Sequence, residues 1–172
     1  YRSSTATLKQ AIGEGFQEIA RSTSIRLATA VDEEIDRAAH LAATLAPQLA
    51  RTTSSAHAPS HNSHAPAQPP RRLAPDAITP QALDSWARES RHHARVTVVD
   101  HQGLVIASTD STISPRQEDQ AWWREALHAT PGTAYVSNVA PDPGLRDAVF
   151  HIAVPIVDEP GGGAIGVVDV VI

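Results

Sequence analysis

The pattern of apolar and polar positions divides the chain into a long helical part and a sheet-forming part. Across Thr5–Leu49, apolar side chains recur every three or four residues, which is the spacing of one helix face. Gly13, Gly15 and Ser22–Ser24 interrupt this stripe, so a bend or two separate helices are also compatible with it. A helix of about 40 residues at about 1.5 Å per residue would be about 60 Å long, longer than one small domain is wide. We therefore expect it to pack against the same helix of a second subunit.

Residues 51–79 have a different composition, rich in Ser, Thr, Ala and Pro, and predict a long surface loop. The histidines of this loop, His57, His61 and His64, have the side chain of a common metal ligand. No carboxylate lies among them and Pro-rich backbone holds no fixed geometry, so we expect no metal site. The loop separates an N-terminal helix, residues 1–50, from a sheet domain, residues 80–172.

The sheet domain begins with a predicted β-hairpin. Two β-branched runs, Val96–Val99 and Leu104–Ala107, flank Asp100–Gly103, and Asp at the first and Gly at the fourth position favour a tight turn. Neither run alternates between apolar and polar residues, which indicates that both faces of the sheet are covered. The basic cluster just before the hairpin, from Arg88 to Arg95, is interpreted as an exposed rim.

The remaining elements follow from breakers, caps and short apolar runs. They are a helix at Pro80–Ser90 with Thr79 as N-cap, a loop at Thr109–Gln120, a helix at Asp119–Leu127, a strand at Tyr135–Ser137, a turn at Asn138–Asp147, and strands at Ala148–Val157 and Ala164–Ile172. Pro155 indicates an edge or a bulge in its strand. The order of two strands, a helix and three strands predicts an α+β fold.

Composition excludes several function classes. With 14 basic and 19 acidic residues the chain is mildly acidic, which gives no electrostatic footprint for nucleic acid. The absence of Cys excludes disulfides and thiolate chemistry. No Gly-x-Ser-x-Gly, phosphate-loop or His-Glu-x-x-His motif occurs, so we expect no enzyme activity and no cofactor. The apolar runs are too short to span a bilayer, and membrane segments are expected outside this sequence.

Three motifs between Val96 and Val168 resemble the single-Cache family of PAS-like extracytoplasmic sensors in bacterial chemoreceptors, histidine kinases and cyclic-dinucleotide enzymes. They are the hairpin Val98–Ser108, the helix segment Trp122–Ala126, and the closing hairpin formed by Val154–Asp158 and Gly163–Val168. The resemblance implies a five-stranded antiparallel sheet with the long N-terminal helix on one face. It also implies a ligand pocket between the other face and the Trp-bearing helix.

The function implied by the resemblance is that of a periplasmic or extracellular sensor domain. It would bind a small organic molecule, a carboxylate being one candidate, and would be a homodimer tethered to the inner membrane. Amino-acid-binding relatives carry Arg where this chain has Gln120, and an Asp two positions after Asp169. Recognition of an amino acid is therefore not implied. The alternative is a dimerising or partner-sensing module without a small-molecule ligand.

The candidate ligand-binding residues are Arg116, Trp122, Trp123, Tyr135, Arg146, His151 and Asp169. Adjacent residues on a helix point about 100° apart, so one tryptophan should line the pocket and the other join the core. His151 shares its strand face with Ala153, and we hypothesise that it pairs with Asp169. An arginine, with Arg116 as first choice, would neutralise a carboxylate ligand.

Overall fold

The computed structural model describes the backbone of residues 3–56, 78–142 and 144–172, and the side chains of 20–51, 78–142 and 144–172. The chain divides into two units, Tyr1–Asp36 and Arg37–Ile172. The three histidines of the predicted loop, and most of that loop, lie outside the described residues. Within the part that is described, no group of three or more His, Asp or Glu side chains is arranged to hold a metal ion.

Helix α1 spans Ser3–Ala56 and contains 54 residues. It continues without a break through Ser22–Ser24, as the single long helix predicts, so the alternative of two separate helices is not observed. The Ser24 hydroxyl donates to the carbonyl of Ala20, four residues earlier, at 2.8 Å, which satisfies this polar side chain within the helix. The helix also extends past residue 50, into the segment predicted as loop. Among the described residues, no helix combines the length and the hydropathy needed to cross a membrane.

The second unit is built around a five-stranded antiparallel sheet with strand order β2-β1-β7-β6-β3. Its strands are β1 Arg95–Asp100, β2 Val105–Ser108, β3 Tyr135–Val136, β6 His151–Val157 and β7 Ala164–Val171. Strand β7 lies at the centre and pairs with both β1 and β6. The predicted α+β fold with a five-stranded antiparallel sheet is confirmed.

A separate two-stranded hairpin, β4 Ala140–Asp142 and β5 Asp147–Val149, occupies most of the segment predicted as a turn. The prediction was wrong because Pro141, Asp142 and Asp147 lie in the two paired strands, and the chain reverses only at the tip between them, where Arg146 has a φ of 57°. The predicted strand Ala148–Val157 is likewise divided at Phe150, whose backbone pairs with Ile172.

The turn of the β1–β2 hairpin forms as predicted. One carboxylate oxygen of Asp100 accepts from the backbone N–H groups of Gln102 at 2.8 Å and Leu104 at 2.9 Å. Gly103 has a φ of +80°, and a Cβ there would lie 2.8 Å from Cβ of Glu118. The turn therefore needs Gly for its backbone conformation and for the close approach of the following loop. At Pro155, β3 no longer pairs with β6, and a bulge follows at Ile156, consistent with the predicted edge or bulge.

Helices cover both faces of the sheet, as the apolar strands predicted. On one face lies the part of α1 that follows Arg37, with Leu41, Leu45 and Leu49 buried. A Cβ added at Gly166 of β7 would lie 2.5 Å from Cδ2 of Leu49, so the helix and the strand are in close contact.

Two short helices complete the sheet domain. Helix α2, Pro80–Ala87, is capped by Thr79 as predicted, and packs beside β1 and β2. Its Trp86 is half-buried and stacks on His93, with ring centroids 4.5 Å apart. Helix α3, Ala121–Leu127, packs against β6, β7 and β3. It covers the face opposite α1, and the candidate ligand cavity lies beside it.

Candidate functional site

A cavity of about 250 Å³ lies between the start of α3, strand β6 and the β4–β5 hairpin. Its lining combines aromatic walls with several polar side chains, which is typical of a small-molecule site. The lining residues are Gln120, Ala121, Trp122, Tyr135, Ser137, Asn138, Ala140, Pro141, Asp142, Val149 and His151. The volume is below the roughly 300 Å³ at which pockets for drug-sized ligands begin. The space therefore suits a small metabolite.

The two adjacent tryptophans have different positions. Trp122 lines the cavity and lies parallel to the ring of His151, with ring centroids 6.0 Å apart. Trp123 is buried and its indole N–H donates to the backbone carbonyl of Asp100 at 3.1 Å, which fixes α3 to the β1–β2 turn. One indole is thus a cavity wall and the other a core anchor. Tyr135, the other aromatic candidate, is half-buried and lines the cavity.

His151 and Asp169 form the hypothesised pair. The register places Ala153 opposite Asp169, so His151 lies diagonally across from that carboxylate on the same face of β6 and β7. Its Nδ1 is 3.0 Å from each carboxylate oxygen. The Asp169 side chain is only 1% exposed, whereas that of His151 is 21% exposed and lines the cavity.

The protonation of Asp169 is governed by its burial. Loss of hydration raises the pKa of this carboxyl above its ordinary value of 3.8, against the opposing effects of the His151 hydrogen bond and the His151 and Arg95 charges. A charged carboxylate at this depth would be costly without a partner. The hydrogen bond between His151 and Asp169 therefore offsets part of the free-energy cost of burying this acid.

Arg95 is the buried cation of this face, not part of an exposed rim as predicted. Its side chain is 11% exposed and its guanidinium donates to Asp142 at 3.0 Å. The second acid, Asp110, lies 3.6 Å from the same guanidinium. The other oxygen of Asp142 accepts from the backbone N–H groups of Gly144 and Leu145. This ion pair connects the start of β1 to the hairpin that borders the cavity.

Asp142 and Asp110 are held in their charged forms. For Asp142, burial acts to raise the pKa, but hydrogen bonds from Leu145, Gly144 and Arg95 outweigh it, so the pKa lies below its ordinary value. For Asp110, hydrogen bonds from Thr112 are the main cause of a lowered pKa. Both carboxylates are therefore negatively charged at neutral pH and form ion pairs with Arg95.

The arginines predicted to neutralise a ligand do not line the cavity. Arg116 is 67% exposed and forms an ion pair with Glu118 at 3.2 Å. Arg146 is exposed at the tip of the β4–β5 hairpin. Of the predicted candidates, the fold brings together Trp122, Tyr135 and His151 at the cavity, with Asp169 behind them. Ligand binding by any of these residues stays a prediction.

Four polar lining residues were not predicted: Gln120, Ser137, Asn138 and Asp142. Ser137 accepts the backbone N–H of His151 at 2.9 Å and thereby extends the pairing of β3 with β6. Its place at the end of the predicted strand Tyr135–Ser137 is the signal that could have indicated this role. Asp142 belongs to the hairpin that was predicted as a turn, so its position depended on an element that the pattern did not reveal.

The geometry can be compared with known proteins. Among solved structures, the chain is similar to the ligand-binding domain of the Pseudomonas fluorescens chemoreceptor CtaA. For the complex with L-serine the identity is 15% and the TM-score 0.61, over 95% of this chain and 60% of that one. For the complex with L-alanine the identity is 15% and the TM-score 0.57, over 91% and 57%. The chain has the α+β, PAS-like fold of these chemoreceptor ligand-binding domains.

The likeness of this domain to CtaA is one of fold. The chain spans 60% of the length of the L-serine-bound CtaA domain, so the comparison concerns part of that protein. No protein-family model and no curated protein sequence matches the chain. The predicted arrangement, with a long helix on one sheet face and a Trp-bearing helix on the other, is confirmed.

Proposed function

We propose that this Cache-type domain is the extracytoplasmic sensor of a bacterial membrane signalling receptor and that it binds a small organic molecule in the described cavity. Membrane segments outside this sequence would tether it, with the domain in the periplasm or outside the cell. The fold shared with CtaA supports the proposal. We assign no catalytic role to the cavity.

The observation that carries the proposal is the cavity itself, which lies between α3 and the sheet face opposite α1. Trp122 and Tyr135 give it apolar walls, and Ser137, Asn138 and His151 converge on it with polar groups. Side chains that fill their own pocket would leave no such space. A cavity with few polar groups among aromatic walls is the arrangement that orients a small ligand.

The central strand β7 gives ligand binding a path to α1. On the cavity face β7 carries Asp169, which holds His151, and on the opposite face its Gly166 contacts Leu49 of α1. A ligand that binds one arrangement of the cavity better than another would shift β7 relative to α1. Such a displacement of a long helix is a direct way to transmit binding out of the domain.

The homodimer is a further part of this proposal. Helix α1, at about 1.5 Å per residue, is about 80 Å long. In the unit Tyr1–Asp36, Leu27 of the apolar helix face is 63% exposed, so this side chain faces solvent in a single chain. Pairing with α1 of a second copy through that face would bury it. Sedimentation of the chain and of a Leu27→Glu variant tests this, with a dimer expected for the first and a monomer for the second.

The test of ligand binding is a thermal-shift screen of small carboxylates, amines and amino acids. L-serine and L-alanine belong in the panel because the similar CtaA structures hold them. A ligand at 100 times its Kd should add about 2.7 kcal/mol to stability. A variant that fills the cavity mouth, Ala121→Trp, should lose the shift, while Ala94→Trp, an exposed position away from the lining, should keep it.

If no compound stabilises the wild-type domain, the proposal of a small-molecule sensor fails. A dimerising or partner-sensing module would then be the better description of the same fold. If a compound stabilises the wild type and the Ala121→Trp variant equally, binding does not occur in this cavity, and the assignment of the site is wrong.

A further inference from the structure

The His151–Asp169 pair connects the sheet core to the cavity, because Asp169 is buried and His151 lines the cavity. The pair joins a buried carboxyl to the ring of a residue that lines the cavity. Trp122 lies parallel to that ring and limits its rotation. Because Nδ1 is engaged by Asp169, only Nε2 is left to meet a ligand, and it makes no hydrogen bond to any residue that the structure describes.

The number of protons on the pair decides what Nε2 can do. With two protons, the pair is either an imidazolium beside a carboxylate or a neutral ring beside a carboxylic acid. In both forms Nδ1 and the carboxyl share one proton and Nε2 carries the other, so Nε2 donates. With one proton, Nδ1–H faces a carboxylate, the pair has a charge of −1, and Nε2 accepts. The same geometry therefore favours an anion in the first state and an amine or hydroxyl donor in the second.

The surroundings of the pair favour the state with two protons. A net negative charge on Asp169, enclosed between β1 and β6, has little water to stabilise it. Arg95 from β1 acts on Asp169 through its charge, and Asp142 from β4 and Tyr135 from β3 line the same cavity as His151. Arg95 pairs with both Asp142 and Asp110, whose two negative charges more than balance it, so a further negative charge on the pair is disfavoured. The acidic and basic residues of α3, Arg124 and Glu125, are exposed.

The other charged groups at the cavity are already occupied. Both oxygens of Asp142 accept hydrogen bonds, one from Arg95 and the other from the hairpin backbone. Arg116 and Arg146 do not belong to the lining. Among the lining residues that the structure describes, His151 is the one basic side chain. An acidic ligand in this cavity thus has His151 as its titratable partner.

We propose that His151, held by Asp169, is the specificity-determining residue of the cavity, and that it selects a small carboxylate whose binding requires two protons on the pair. This inference rests on the proposed function and adds to it the class of ligand, the residue that recognises it and a dependence on pH. The ligand carboxylate accepts the Nε2–H hydrogen bond, and no covalent bond forms or breaks. A receptor of this kind would respond to an acid more strongly as the surroundings become more acidic.

Calorimetric titration with carboxylates of two to five carbons, and with the amides and amines of the same carbon skeletons, tests the selectivity. Measurements in Tris and in HEPES at pH 6, 7 and 8 give the protons taken up on binding, because the two buffers differ in ionisation enthalpy. We expect at least one carboxylate to bind at least tenfold more tightly than its amide and its amine. Its affinity should fall by up to tenfold per pH unit once the pair loses its second proton, with up to one proton taken up per ligand.

Variants separate recognition from structure. His151→Gln retains an amide N–H but cannot titrate, so carboxylate binding should weaken and lose its pH dependence. Asp169→Asn removes the carboxyl that shares the proton of Nδ1, and its amide can either accept from Nδ1–H or donate to Nδ1, so Nε2 is no longer fixed as a donor and the preference for carboxylate over amide should weaken. His101→Gln is the matched control, since His101 is exposed in the β1–β2 turn and outside the lining. Its affinities and pH profile should equal those of the wild type.

Nitrogen-15 NMR of the wild-type imidazoles tests the inference without any variant, so it does not depend on whether a variant folds. At pH 6 the Nε2 signal of His151 should be that of a protonated nitrogen. A lone-pair signal there would overturn the inference. So would an amine or amide that binds better than every carboxylate, or carboxylate binding with no proton uptake between pH 6 and 8. These results would leave the sensor proposal intact, whereas the absence of any ligand would overturn both.

Discussion

The two faces of the central strand carry different chemistry, although they alternate along the same eight residues. Toward α1, β7 presents Gly166, Val168 and Val170, all apolar and buried. Toward the cavity it presents Val167, which packs with the tryptophans, and Asp169, which holds His151. Packing therefore dominates one face, whereas the other also carries a buried polar pair. Substitutions on the first face should change stability, and substitutions on the second should change ligand affinity and pH dependence.

The largest effect is expected on the α1 face. Leu49→Ala removes a fully buried side chain that contacts Gly166, and truncations of this type cost about 2–5 kcal/mol through lost burial and the cavity that remains. Urea denaturation measures the loss. Ligand affinity of the folded fraction should change by less than about twofold. A loss below about 1 kcal/mol would show that α1 does not hold this face of the sheet.

On the cavity face, His151→Ala leaves the buried Asp169 without its hydrogen-bond partner, and the expected cost is about 1–3 kcal/mol. The pKa of Asp169 is already raised in the folded state, and removal of His151 takes away an effect that lowers it. The folded variant then binds a proton more tightly than the unfolded chain. The stability that this provides is fully present below about pH 4 and is lost as the pH rises through the folded pKa.

The His151→Ala variant should accordingly lose stability between pH 5 and pH 8, as measured by urea denaturation at both values, and this loss should be absent when Asp169 is also replaced by Asn. His101→Ala, in the exposed turn, is the control and should cost less than about 0.5 kcal/mol. A stability that falls equally in His151→Ala and in His151→Ala/Asp169→Asn would mean that the buried carboxyl is not the origin of the pH dependence.

A smaller effect is expected where the hairpin meets the sheet. Asp142→Asn keeps an acceptor for Gly144 and Leu145 but loses the charge that binds Arg95, for a cost of about 1–2 kcal/mol at pH 7. The pKa of Asp142 is lowered in the folded state, so its contribution is present above about pH 4 and is lost as the pH falls through the folded value. Wild type and variant should therefore converge in stability near pH 2. A difference in stability between wild type and Asp142→Asn that persists near pH 2 would show that the carboxylate charge is not its cause.

The smallest effect is expected at Arg116, which the sequence favoured as the partner of a carboxylate. Its ion pair with Glu118 is exposed, and such pairs contribute about 0–1 kcal/mol. Arg116→Ala should leave both the denaturation midpoint and the affinity for any carboxylate found in the screen nearly unchanged. A tenfold loss of affinity would indicate that Arg116 contacts the ligand, and it would weaken the assignment of carboxylate recognition to His151.

Local chemistry explains which parts of the fold were predictable. The Asp100–Gly103 turn and the Thr79 cap depend on residues within four positions of each other, and both formed as predicted. The pairing of His151 with Asp169 could also be predicted from the sequence, because strand alternation fixes which face of the sheet each residue occupies. It needed only the assumption that the two strands are neighbours.

The missed features depend on contacts between distant segments. Arg95 was placed in an exposed rim because basic residues surround it, yet Asp142, far along the chain, makes it a buried ion-pair partner. That contact exists only because β4 and β5 form a hairpin within a stretch whose composition indicates a turn. Arg116 failed as a cavity residue because an exposed loop sets its direction and Glu118 engages it. No pattern within these segments specifies such long-range placement.

The most direct measurement of the central claim uses the indole N–H resonances of the chain's three tryptophans. Trp122 lines the cavity, Trp123 donates its indole N–H to Asp100 in the core, and Trp86 stacks on His93 beside α2. On titration with a carboxylate from the screen, the Trp122 signal should shift with saturation, while those of Trp123 and Trp86 stay nearly constant. Shifts at Trp86 with none at Trp122 would contradict the assignment of the cavity as the binding site.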